Sequence, residues 1–84
     1  MTRERIERLR ALAIAIAKEH NEGGVCGFLP GFNFKTCKQE PQAHLSCEAF
    51  CEIFGKYETV EFDEFQDELF VMVDGVKFYA LKNK

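Results

Sequence analysis

Four cysteines are the residues of this sequence whose type and spacing could do chemistry. They are Cys26, Cys37, Cys47 and Cys51, in the pattern C-x10-C-x9-C-x3-C. Because zinc takes four N or S ligands in a tetrahedron, the pattern predicts one structural zinc ion bound by these thiolates, with His44 able to replace one of them. The CxxC knuckle typical of zinc folds is missing, so disulfides and reduced, packed cysteines stay open as alternatives.

A cysteine beside a base is also the arrangement of a thiol enzyme. In the second predicted helix, His44 lies one turn before Cys47, and a helix N-terminus activates a thiol. No third group that would orient the histidine is evident, and 84 residues leave little depth for a pocket. We therefore expect a protein that is not an enzyme, with a thiol-dependent enzyme kept as an alternative.

Acidic side chains interleaved with aromatic ones form the other candidate site. Residues 48–68 carry eight acids and a single base, Lys56. Such a surface steers association with a basic partner, and aromatic residues and Met are enriched at interfaces. The predicted partner-binding residues are Glu58, Glu61, Asp63, Glu64, Phe65, Asp67, Phe70, Met72 and Tyr79. The alternative is a solvated acidic face that only keeps the sheet soluble.

Length and charge limit the class of protein. The 84 residues, 46% apolar with a net charge of −3, predict a single globular domain over residues 1–84. Direct nucleic-acid binding is not expected, because glutamates dilute the only basic cluster, Arg3–Arg10. The apolar run Ala11–Ala17 is far shorter than a membrane span, and the glutamates before it do not suit a signal peptide. We expect a cytoplasmic protein with no membrane partner.

Periodicity and turn residues predict the elements that position these side chains. Apolar residues repeat at helical spacing from Ile6 to Ala17, with Thr2 as the N-cap and Gly23-Gly24 at the end. A second helix is predicted over Pro41–Phe54, followed by Gly55 at the position that favours glycine.

The C-terminal third predicts a β-hairpin. Asp74-Gly75 between two β-rich runs favours a type I′ turn, and its two-residue loop fixes the register. The predicted cross-strand pairs are Val73 with Val76, Val71 with Phe78, and Leu69 with Ala80. With Tyr57–Phe62 as a third antiparallel strand, the prediction is an α+β fold. In it, an N-terminal helix and a second short helix pack on a small antiparallel sheet of about three strands.

One helical layer covers one face of such a sheet, which leaves Phe70, Met72 and Tyr79 on the other face for a partner. The alternative is that the Phe28–Phe34 loop folds back and covers them. The leading hypothesis is a small non-enzymatic module that binds a basic site on a protein partner, as an inhibitor or regulator. A nucleic-acid-binding protein is one such partner, and unpaired sheet edges also permit a homodimer. The alternative function is a zinc-stabilised interaction domain.

Overall fold

Two helices and seven strands make up the computed structural model, which describes residues 1–84. The elements are α1 (Arg3–Glu22), β1 (Val25–Gly27), β2 (Gly31–Asn33), β3 (Lys38–Glu40), β4 (Gln42–Leu45), α2 (Cys47–Ile53), β5 (Glu58–Glu61), β6 (Gln66–Val73) and β7 (Val76–Asn83). Five strands form one sheet in the order β1-β4-β7-β6-β5, while β2 and β3 form a separate two-stranded sheet. Every pair is antiparallel except β4 with β7. The predicted α+β class is confirmed.

The β6–β7 hairpin follows the predicted turn chemistry. Asp74 and Gly75 have φ angles of 49° and 82°, and a type I′ turn requires positive φ at both positions. The strands pair from Val73 with Val76 outward, in the register that the two-residue loop predicts. The predicted third strand is present as β5, antiparallel to β6.

The second helix begins later than predicted. Residues 42–45 form a strand that runs parallel to β7, and the N–H of Lys77 donates to the Pro41 carbonyl at 3.1 Å. The helix starts only after Ser46, whose hydroxyl accepts from the N–H of Ala49 at 3.2 Å. The predicted start at Pro41 was therefore wrong, because pairing with a central strand outweighs a short stretch of helical signal. With β1 and β4 added, the sheet has five strands instead of about three.

The core lies between α2 and one face of the large sheet. Phe50 is completely buried and packs against Leu45, Leu69 and Ala80. Only five of the 84 residues are buried, so this layer carries most of the tertiary packing.

Helix α1 lies beside this core and not in it. The hydroxyl of Thr2 caps its start by accepting from the N–H of Arg5 at 3.2 Å, and Gly23 ends it with a φ of 85°. None of its residues is buried, and its main contact with another element is with β1. The predicted helix is confirmed, but its apolar face stays largely exposed.

Candidate interaction site

The face of the large sheet opposite α2 carries a row of side chains across four strands. Because Leu69 points into the core, strand alternation places its neighbour Phe70 on the opposite face. Phe70 pairs with Tyr79 on one side and with Glu58 on the other, and Tyr79 pairs with His44. We call this surface the open face; its residues are His44, Glu58, Glu68, Phe70, Met72, Lys77 and Tyr79.

Contacts within the open face fix the geometry of its centre. The rings of His44 and Tyr79 stack with centroids 4.6 Å apart and planes 9° from parallel. The Nζ atom of Lys77 lies 5.1 Å from the centroid of Phe70 and 5.6 Å from that of Tyr79. The same ammonium group donates to both carboxylate oxygens of Glu68 at 3.1 Å. The open face is therefore a preformed aromatic surface with one cation and one anion already paired.

Tyr79 has an altered proton affinity. Burial raises the pKa of its phenol above the ordinary value, and the nearby Glu68 carboxylate and Cys26 sulfur act in the same direction. The neutral phenol is thus favoured, because burial penalises the phenolate and the adjacent negative groups repel it. A partner meets a hydroxyl that can donate a hydrogen bond.

A shallow notch continues the open face at the sheet edge. Its volume is about 490 Å³. It is lined by Lys56, Tyr57, Glu58, Phe70, Val71 and Met72. Strand β5 begins at Glu58 opposite Phe70, so the next residues of β6 have no strand beside them on that side. Unpaired backbone groups of this kind can pair with another chain.

Two of the predicted acids lie elsewhere. Glu61 and Asp67 pair with each other across β5 and β6, two residues from the core pair of Thr59 and Leu69, which places them on the helix-bearing face. The Nζ atom of Lys84 lies 3.3 Å from Glu61 and 3.9 Å from Asp67. The predicted acidic surface is therefore not one face of the sheet.

The remaining predicted residues belong to the turn between β5 and β6. The Asp63 carboxylate accepts from the N–H groups of Phe65 and Gln66, both at 2.8 Å, so it holds the turn. Glu64 and Phe65 lie at the tip, where the Phe65 side chain is 74% exposed. Of the nine predicted residues, the open face unites Glu58, Phe70, Met72 and Tyr79.

Three members of the open face lie outside the predicted partner-binding set: His44, Glu68 and Lys77. The hairpin register already placed Lys77 on the same face as Phe70 and Tyr79, so that signal was available. His44 was missed because its segment was assigned to a helix, which hid its alignment with Tyr79.

The structure does not bring the four cysteines together. No three His, Cys, Asp or Glu side chains lie close enough to hold a metal ion, and all four cysteines are free. Cys47 donates its S–H to the Leu81 carbonyl at 2.9 Å, while Cys26, Cys37 and Cys51 are exposed. A four-thiolate zinc site stays a prediction that requires these segments to move.

The thiol-enzyme alternative rested on His44 and Cys47 sharing one helix. His44 lies in β4 and stacks on Tyr79, whereas Cys47 is the first residue of α2 and bonds to Leu81. The one-turn spacing that predicted the pair is therefore absent from the fold.

The Phe28–Phe34 loop does not fold back onto the core. Phe28 and Phe32 are partly exposed, and Phe34 is 85% exposed. Phe32 shares a small cavity with Met72 and Lys77, so the β2–β3 hairpin borders the open face without covering it. The cover that this alternative requires is absent at Met72, which remains 56% exposed, whereas Phe70 and Tyr79 are half-buried.

Comparison with known proteins identifies no relative of this chain. The chain matches no protein-family model, and no curated protein or solved structure is significantly similar to it. Neither helix has the length and hydropathy that a membrane crossing requires.

Proposed function

We propose that this protein is a small, non-enzymatic binding module that docks a protein partner on its open face. The observation that carries the proposal is the stacked and cation-bound row of His44, Tyr79 and Phe70, which lies on the sheet face opposite α2. Pre-positioned aromatic side chains contribute large contact areas at low entropic cost, which is why they dominate interface energies.

Charge around this row supports a basic partner. Glu58 lies at one end of the row, and Glu64 projects from the neighbouring turn; no ion pair holds either carboxylate. Unpaired carboxylates at the rim of an interface raise the association rate with a positively charged partner. A protein whose basic groove binds nucleic acid is one partner of this chemistry, and the module would act on it as an inhibitor or regulator by occupying the groove.

The notch supports a second element of recognition. A partner segment that pairs with the unpaired stretch of β6 would place its side chains against Tyr57 and Met72. Backbone pairing supplies affinity, and side-chain pockets supply selectivity. The cytoplasm is proposed as the compartment, because its reducing pool preserves thiols such as Cys47, which serves here as a hydrogen-bond donor.

Quantitative capture from native lysate with matched variants tests the proposal. Met72→Glu places a charge on the open face, and Ile53→Glu places the same charge on the exposed side of α2, where Ile53 is 66% exposed. We expect specific proteins to bind the wild type and Ile53→Glu but not Met72→Glu. If the same proteins bind both variants equally, the open face is not the docking site.

Charge reversal tests the electrostatic part separately. Glu58→Lys with Glu64→Lys should slow association with the captured partner, and binding should weaken as salt rises. Glu48→Lys with Glu52→Lys makes the same change of charge on α2 and serves as the control. An association rate that is indifferent to salt and to both reversals would contradict a basic partner.

A further inference from the structure

Most of the apolar side of α1 has no partner within the chain. Leu9 and Ile16 are 42% and 41% exposed, and Ile6 is 52% exposed. Leu12 and Ile16 line an apolar groove of about 480 Å³ between α1 and the sheet, but Ile6, Leu9 and Ala13 do not line it. Since a helix in water gains most of its stability by packing an amphipathic face, α1 needs a surface that this chain does not supply.

The spacing of these residues is that of a helix-pairing seam. Successive seam residues are separated alternately by three and four positions, the repeat by which two helices pack side by side. The seam residues are Ile6, Leu9, Ala13, Ile16 and His20, and the last of these also contacts Phe28, with ring centroids 6.0 Å apart. The small side chain of Ala13 at the midpoint lets a second helix approach closely. The helix is therefore patterned to pair with another helix of similar length.

The surface area of the chain leaves room for an interface of this kind. A compact monomer of 9.7 kDa exposes about 5,100 Å², whereas this chain exposes 6778 Å². Its radius of gyration is 14.7 Å, against roughly 12 Å for a compact domain of this length. The excess of about 1,650 Å² per chain is larger than the roughly 800 Å² that each partner contributes to a standard interface.

The distribution of charge along α1 favours pairing with α1 of a second copy in antiparallel orientation. In an antiparallel pair centred between Leu12 and Ala13, Leu9 faces Ile16 of the second copy, and Arg5 beside the seam lies close to Glu19 of the second copy. A parallel pair would instead place the cluster Arg3–Arg10 against its own copy, where like charges repel. The helix is thus complementary to itself in one orientation.

We propose that this chain forms a homodimer through antiparallel pairing of α1 along the seam. The dimer leaves the open face free, because the seam lies on α1 and the open face lies on the opposite side of the large sheet. It does not depend on the proposed function. A failure of the dimer would leave partner docking on the open face intact, and the reverse also holds.

Analytical ultracentrifugation over a wide dilution series tests the dimer. We expect a species of twice 9.7 kDa that dissociates on dilution. Leu9→Glu should raise the dimer dissociation constant by about a hundredfold or more, because two carboxylates would be buried in the seam, and Leu9 does not line the groove between α1 and the sheet. Ile14→Glu is the matched control: Ile14 is 56% exposed on the other side of the same helix, and its variant should dimerise as the wild type does. Circular dichroism checks that α1 remains helical in both.

Charge exchange tests the orientation. Arg5→Glu alone should weaken the dimer about fivefold, because two exposed ion pairs are lost. Adding Glu19→Arg in the same chain should restore the wild-type dissociation constant, which only an antiparallel pair allows. A chain that stays monomeric at high concentration, or a dimer that tolerates Leu9→Glu, would overturn the proposal; a monomer would mean that the seam binds a different protein or none.

Discussion

The rings of His44 and Tyr79 stack at 4.6 Å although 34 residues separate them in the sequence, because β4 lies parallel to β7 and aligns the two residues. This contact brings β4 onto the open face, where the other members come from β5, β6 and β7. The open face is therefore a product of the sheet order and is not contained in any single segment.

Ionisation of Tyr79 gives a pH-dependent prediction. Burial, then Glu68 and then Cys26 raise the pKa of Tyr79, so the folded protein binds this proton more tightly than the unfolded chain does. Stability contributed by the neutral phenol is complete below about pH 10, the ordinary tyrosine value, and falls as pH rises through the higher folded value. Ultraviolet titration should show one tyrosine that ionises later in native protein than in urea.

Two variants check the assignment of that titration. Tyr79→Phe should remove the late step and the associated loss of stability at high pH. Glu68→Gln should shift the late step toward lower pH, because it removes the adjacent negative charge. If the late step persists in Tyr79→Phe, the shifted group is a different tyrosine.

Truncation of Phe50 should be the most damaging change in α2. This ring is fully buried among Leu45, Leu69 and Ala80, so Phe50→Ala should lower the free energy of unfolding by about 3–5 kcal/mol. In a domain with only five buried residues, a loss of that size can unfold the protein, and Phe50→Leu offers a milder variant for urea titration. Ile53→Ala, on the exposed side of the same helix, should change stability by about 0.5 kcal/mol or less. Equal effects at both positions would contradict the described core.

The thiols should fall into two reactivity classes. Three cysteines are exposed, whereas Cys47 is partly buried and bonded to the Leu81 carbonyl. A thiol reagent should therefore modify three cysteines quickly and the fourth only slowly or after denaturation. Cys47→Ser should abolish the slow phase. A different result would establish the zinc site: all four thiols resist the reagent until a chelator is added, and the protein contains one zinc per chain.

The turn after β5 should depend on Asp63. Its carboxylate accepts from two backbone N–H groups, of Phe65 and Gln66. Asp63→Ala should cost about 1 kcal/mol, which corresponds to a fall of about 4–8 °C in Tm. Glu64→Ala removes a neighbouring acid whose side chain makes no hydrogen bond here, so its Tm should stay close to that of the wild type. A Tm of Asp63→Ala that matches the wild type would show that the turn forms without this carboxylate.

Local signals predicted the elements that local chemistry determines. The Asp74-Gly75 turn fixed the β6–β7 register, and Thr2 and Gly23 marked the two ends of α1. These residues act through their own backbone geometry or hydrogen bonds, so their effect can be predicted from the local sequence. From that register, Phe70 and Tyr79 could be assigned to one face. The α+β class follows from the same local signals.

Long-range pairing could not be predicted in the same way. Strand β4 has four residues, and its parallel partner lies far along the chain, so no periodicity in its own sequence distinguishes it from a helix start. His44 was consequently placed beside Cys47 on a helix. The acids were grouped by sequence proximity, although alternation along the predicted strand Tyr57–Phe62 already sends Glu58 and Glu61 to different faces. The alignment of β5 with β6 then shows which face each one takes.

The strand order has a consequence for how the molecule is made. The last strand, β7, is the middle strand of the large sheet, and both β4 and β6 pair with it. A growing polypeptide therefore cannot complete its main sheet until β7 has left the ribosome. Until then, β4 pairs with β1 on one side and has no strand beside it on the other. Loss of β7, by deletion or by proteolysis, would divide the sheet into two parts that have no backbone pairing between them.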